Sequence, residues 1–167
     1  MSDIETILTG NLEAVRELIQ AAEKAEPIWT QPRAPGKWSA AQVTEHVARA
    51  LEESANVVAG RPSKFPTFPS IFRPIVRGVF FNRVIRKRTF PKAKTNKPFD
   101  PESGPDSPAA AARRLNAAVQ LFEKECRTCA GGTGVVRSTI FGDVSVGDYA
   151  LFQELHTRNH TGQIPSP

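Results

Sequence analysis

Helix-start signals stand in front of apolar residues at helical spacing, and no other feature limits the fold of this chain so strongly. In Trp38-Ser39-Ala40-Ala41-Gln42-Val43, Ser39 and Gln42 lie three apart, the spacing at which a serine N-cap and a glutamine satisfy each other's backbone amides. Trp38 and Val43 flank the box as a hydrophobic staple. Val43, Val47, Ala50, Leu51, Val57 and Val58 continue one stripe, with His46 beside it, until Gly60-Arg61-Pro62. Ser2 and Glu5 form a similar box ahead of Ile4, Ile7, Leu8, Leu12, Val15, Leu18, Ile19 and Ala22, a helix that Gly10 can interrupt or kink. Pro27, Pro32, Pro35 and Gly36 make the following stretch a loop.

Ser107-Pro108 is an N-cap followed by proline at the first helical position. That helix runs through Ala111, Leu115, Ala118, Val119, Phe122 and Cys126 to Gly131-Gly132. Val135 to Phe141 reads as a short extended piece, and Gly142-Asp143 as a turn. Ser145 to Asp148 caps the last helix, which carries Phe152, Leu155, His156, Asn159, His160 and Gln163 in one stripe. Four main helices, with one long crossover between the second and third, predict an all-α fold: a four-helix bundle in a single domain, 1–167.

The crossover has a different chemistry. Residues 60–105 hold 8 of the 14 prolines, and the stretch from Arg61 to Lys97 holds 11 of the 22 Lys and Arg with no Asp or Glu. The basic pI therefore belongs to one segment. Within it Ile71, Phe72, Ile75, Val76, Val79 and Phe80 recur in pairs every four residues, a short amphipathic helix flanked by Arg73, Arg77, Arg83, Arg86, Lys87 and Arg88. Its plainest reading is an insertion whose apolar face packs on the bundle while its arginines are solvated. It also suits an overhang that attracts an anionic substrate, or contact with an anionic membrane or nucleic acid. No nucleic-acid-reading module is recognisable, and membrane contact is not expected.

Three histidines occur, all inside strong helix signals. His156 and His160 are four apart, so they lie on one face one turn above the other. If His46 faces them from the second helix, three neutral imidazoles make a site for a divalent ion, zinc, nickel or iron(II), with coordination positions left open. The same spacing also serves two helix-face histidines with ordinary hydrogen bonds. Thr157 stands where a zincin would place its glutamate, which excludes that protease mechanism. Gln42 and Arg49 share the face of His46, and Gln163 follows His160 by three, so these residues can orient the ligands. Glu45 points away from His46.

Gly36-Lys37-Trp38-Ser39 through His46-Val47 resembles the second-helix motif of the DinB/YfiT-like superfamily of metal-binding four-helix bundles. Phe141-Gly142 through Tyr149, followed by His156, His160 and Gln163-Ile164, is similar to that superfamily's closing motif. The resemblance covers the second and fourth helices and the overall length; residues 60–105 have no counterpart. It implies a divalent metal on His46, His156 and His160, often nickel or zinc. It further implies thiol-dependent S-transfer or isomerisation with a low-molecular-weight thiol (bacillithiol, mycothiol or glutathione), or metal-assisted hydrolysis, in a homodimer. The superfamily often has a second histidine beside the last ligand, where this chain has Asn159.

Cys126 and Cys129 form a CxxC that ends a helix rather than starting one after a strand, so it reads as two helical cysteines with no special task. No run approaches the roughly 18 apolar residues of a membrane span. The start is acidic and unlike a signal peptide, and two cysteines make no disulfide framework, so a cytoplasmic protein is expected. The expected function is a metal-dependent enzyme acting by thiol transfer or hydrolysis on a small molecule, an anionic one where the basic segment overhangs the site. The alternatives are a non-catalytic metal-binding or stress-response interaction protein, and a basic membrane- or nucleic-acid-associated protein.

Overall fold

The computed structural model describes residues 4–92, 95 and 97–167. It is mostly helical, with one small two-stranded sheet. The helices are α1 (Ile4–Lys24), α2 (Ala40–Val58), α3 (Arg73–Val76), α4 (Asn82–Lys87), α5 (Pro108–Gly131) and α6 (Val146–Thr161). The strands β1 (Val135–Ser138) and β2 (Gly142–Ser145) pair antiparallel between α5 and α6. Helix α1 lies along α6, and α2 along α5. Ser2, on which the Ser2–Glu5 box depends, lies outside the described residues.

The signals that start the other long helices work as their chemistry requires. Ser39 Oγ accepts from the Gln42 amide at 3.3 Å, and Gln42 Oε1 accepts from the Ser39 amide at 3.0 Å. Ser107 Oγ accepts from the Ala110 amide, and Ser145 Oγ from the Asp148 amide. The stripes meet in a core containing Leu8, Leu18, Val43, Leu51, Leu115 and Phe122, all within 1% of full burial. Each such side chain contributes about 1.5–3 kcal/mol by leaving water. Asn11 is buried among them because its amide donates to Ile7 O on its own helix and to Ala150 O on α6, 3.0 Å away.

Two expectations change. Helix α1 runs unbroken through Gly10, where a Cβ would lie 2.5 Å from the Glu154 carboxylate. This glycine is there for the close approach of α6, not to bend α1. The extended piece is not alone either: Gly142, at φ +72°, begins a second strand rather than completing a turn, so a hairpin is added to the all-α expectation. Four residues of mixed polarity, Gly142–Ser145, carry no strand periodicity to read.

In the basic segment, α3 runs through a wider π-helical stretch, Arg77–Phe81, into α4. The pairs separate as they meet the core. Phe81 and Val84 are buried and Val76 and Phe80 pack against them, while Ile71, Ile75 and Val79 face outward.

Downstream, residues 97–105 form a strap along the start of α2. Gln42 Nε2 donates to Pro101 O at 2.9 Å, Trp38 Nε1 to Asp100 Oδ1 at 3.0 Å, and Trp29 Nε1 to Pro105 O at 2.8 Å. Gly104 touches α2 so closely that a Cβ would lie 2.0 Å from Ala41 O. The strap thus places the Phe99 carbonyl over His46.

Candidate metal centre

The structure brings His46, from α2, together with His156 and His160, from α6. His46 Nδ1 is 2.7 Å from Phe99 O, and His160 Nδ1 is 3.1 Å from Gln163 Oε1. Both oxygens are acceptors, so both rings carry their proton on Nδ1 and keep a lone pair on Nε2. Those lone pairs face His156 Nε2 at 3.3 Å and 3.1 Å. His156 Nε2 has at most one proton to give. At least one of the two contacts therefore sets lone pair against lone pair, an arrangement that a bound cation relieves.

The spacing also suits an ion. Nitrogens 3.1 and 3.3 Å apart are separated as they would be around a centre about 2.1 Å from each, at angles of roughly 95–105°.

The surroundings keep the imidazoles neutral. His46 and His160 are 4% and 8% exposed, and His156 is half-buried. Burial lowers the pKa of His46, with the nearby Arg49 charge acting the same way against the opposing influence of the Phe99 carbonyl and Asp100. Burial, joined by the facing histidines, holds His156 well below its ordinary value. His160 falls to about 3, chiefly by burial and then by His46. A neutral imidazole is the form that ligates a metal.

Aromatic rings wall the centre. Trp38 lies 4.7 Å from His46 and 6.0 Å from His160 between ring centroids, and Phe90 lies 5.6 Å from His156. Phe90 also packs on Phe80 and Phe152, so the basic segment reaches the centre through its inner apolar stripe.

The family profile of the DinB superfamily matches residues 7–164. The chain belongs to the DinB superfamily. No curated protein and no solved structure matches it. DinB-like proteins are metal-binding, and the three histidines of this DinB-superfamily chain could hold a divalent metal.

The residues expected to orient the ligands divide. Gln163 bonds to His160 directly. Gln42 bonds to the strap and the helix cap, and so reaches His46 only through the position of Phe99. Arg49 donates to Glu45 at 2.7 Å, and Glu45 also takes Arg114 at 2.6 Å, an ion-pair cluster that reaches Glu52. Sequence reasoning missed Phe99 and Asp100. Phe99 contributes only its backbone carbonyl, which no side chain announces, and both residues lie in the Pro-rich crossover, where no ligand-orienting residue was sought. Cys126 is buried on α5, where burial pushes its thiol pKa far up, while Cys129 is half-buried; neither is a disulfide partner.

Proposed function

We propose that this chain is a metal-dependent enzyme acting on a small molecule by thiol transfer or hydrolysis. The observation that carries this reading is the convergence of three Nε2 atoms, two of them with their Nδ1 protons committed to Phe99 O and Gln163 Oε1. His46, His156 and His160 would hold one divalent ion, zinc or nickel by ligand type, with iron(II) a third choice. Such an ion supplies Lewis acidity towards a carbonyl or a thiol.

The chain's own residues do the remaining work. Phe99 O and Gln163 hold the ring tautomers, Trp38 and Phe90 exclude water, and the half-buried edge of His156 leaves an approach. Asp100 accepts from Trp38 Nε1 and so helps hold the indole against the ring of His46. In the same reading, the four long helices are the superfamily's bundle, 60–105 is its Pro-rich crossover, and 1–167 is one cytoplasmic domain that pairs as a homodimer. The cations of 61–97 favour an anionic substrate. Among the described residues, no helix is long and apolar enough to cross a membrane.

A second reading, a non-catalytic metal-binding protein, has one observation in its favour. His46 and His160 are buried behind the rings of Trp38 and Phe90, which leaves a bound ion little room for a substrate. Metal analysis of tag-free protein and its His46→Ala, His156→Ala and His160→Ala variants tests both. About one ion per chain, lost in each variant, is expected; a metal-free, folded protein would overturn both. Cobalt-substituted protein then separates the two. A visible spectrum that shifts on adding a small thiol supports the enzyme, and an unmoved one supports the closed site.

A further inference from the structure

Among the described residues, the large apolar side chains left exposed gather in one place. Phe68, Ile71, Phe72, Ile75 and Val79 are between 37 and 73% exposed, and only Leu121 and Val135 lie elsewhere. These five are held outward. Arg73 Nε donates to Phe68 O, the Phe68 amide to Thr139 O, and Arg77 Nη1 to Asp143 O at 2.7 Å, tying the segment to the hairpin. The inner stripe of the same helix is already committed, with Phe81 and Val84 at 2% and 0% exposure, so the ridge cannot roll inward without losing that packing.

Further along the helix, the outward side turns from apolar to basic. Arg83, Arg86, Lys87 and Arg88 are exposed, and among the described residues none of them has a carboxylate partner.

We propose that this ridge, Phe68 to Val79 with the cations of 83–88 beside it, docks on the surface of an anionic lipid bilayer. Exposed apolar side chains on a helix with clustered Arg and Lys are the two halves of interfacial binding, insertion into the acyl boundary and attraction to anionic headgroups. The charge is complementary: no acidic residue lies anywhere in 61–97. A second copy of the chain fits less well. A two-fold interface would join two copies of this patch with no carboxylate in 61–97 to meet either set of cations. Five side chains at these exposures also offer on the order of 500 Å², short of the about 800 Å² per partner of a standard interface.

Flotation of the full chain with vesicles tests this, using phosphatidylcholine alone and mixed with phosphatidylserine. Two triple variants, I71S/I75S/V79S and R83Q/R86Q/K87Q, are compared after circular dichroism has shown each to be folded. Binding is expected on the anionic vesicles and to persist at physiological salt, because apolar insertion is not screened. The apolar variant should lose at least about tenfold, and the charge variant about 100-fold, at about fivefold per cation. A folded wild-type chain that stays off anionic vesicles would overturn the proposal. So would binding indifferent to the apolar variant or matched on duplex DNA, or a dimer by sedimentation that only the apolar variant dissociates.

Discussion

Replacing Gly104 by alanine should loosen the metal centre although the residue touches no histidine. The added Cβ would lie 2.0 Å from Ala41 O and 2.3 Å from Ala41 C, and real contacts of this kind stay above 3.0 Å. Both opposing atoms are backbone in the first turn of α2, so the strap must move by about 1 Å. The His46–Phe99 bond is 2.7 Å long, and the same displacement takes it to ~3.7 Å, beyond hydrogen-bond range. The Trp29–Pro105 and Gln42–Pro101 bonds lie on the same strap. Losing two or three bonds of about 1 kcal/mol each lowers stability by about 2–3 kcal/mol and the melting temperature by about 5–10 °C. Freed from Phe99 O, His46 is no longer held in one tautomer, and metal affinity should drop about 10–100-fold.

Competition with a chromophoric chelator measures the affinity, and thermal unfolding by circular dichroism measures the stability. Gly10→Ala is the matched control: its Cβ meets only the far end of the flexible Glu154 side chain, which can swing aside without moving α6 and its two histidines, so affinity should stay within about twofold. A Gly104→Ala protein that binds metal as tightly as wild type would refute the role assigned to the strap.

Three further outcomes follow from the geometry. Gln163→Ala should weaken metal binding by about tenfold with little change in melting temperature, because it removes the acceptor at His160 Nδ1; unchanged affinity would remove Gln163 from the site. In metal-free protein the histidines resist protonation when folded and accept it near 6.5 when unfolded, so stability should fall as pH drops from 6.5 towards 3. Each imidazole contributes up to about 1.4 kcal/mol per pH unit in that window, and urea titrations of His160→Ala should show a correspondingly shallower decline. Finally, a thiol reagent should modify Cys129 in the native protein and reach Cys126 only on unfolding; two equally fast thiols would contradict the burial of Cys126.

What could be read from the chain was whatever side chains state locally. Ser39 with Gln42 and Ser107 with Pro108 name helix starts by their own hydrogen-bonding chemistry, and three histidines confined to helices suggest a meeting point. What could not be read depends on partners distant in sequence. Gly10 looks like a weak point in α1 until Glu154 is packed over it, and Gly104 looks like loop punctuation until Ala41 is beneath it. The pairs from Ile71 to Phe80 promised one apolar face, but which member of each pair would be buried depended on where Phe141 and Phe152 stood to receive Phe80 and Phe81. A strand as short and mixed as Gly142–Ser145 exists only because β1 is there to pair with it.

The two acceptors behind the imidazoles differ in what inheritance can do to them. Gln163 is a side chain, and one codon change erases it. The oxygen over His46 belongs to the backbone of residue 99 and survives every replacement of that residue which leaves the strap in place. Drift in this lineage can therefore retune the His160 arm of the centre one substitution at a time. The His46 arm answers only to changes in the shape of the strap, in steps that also cost folding.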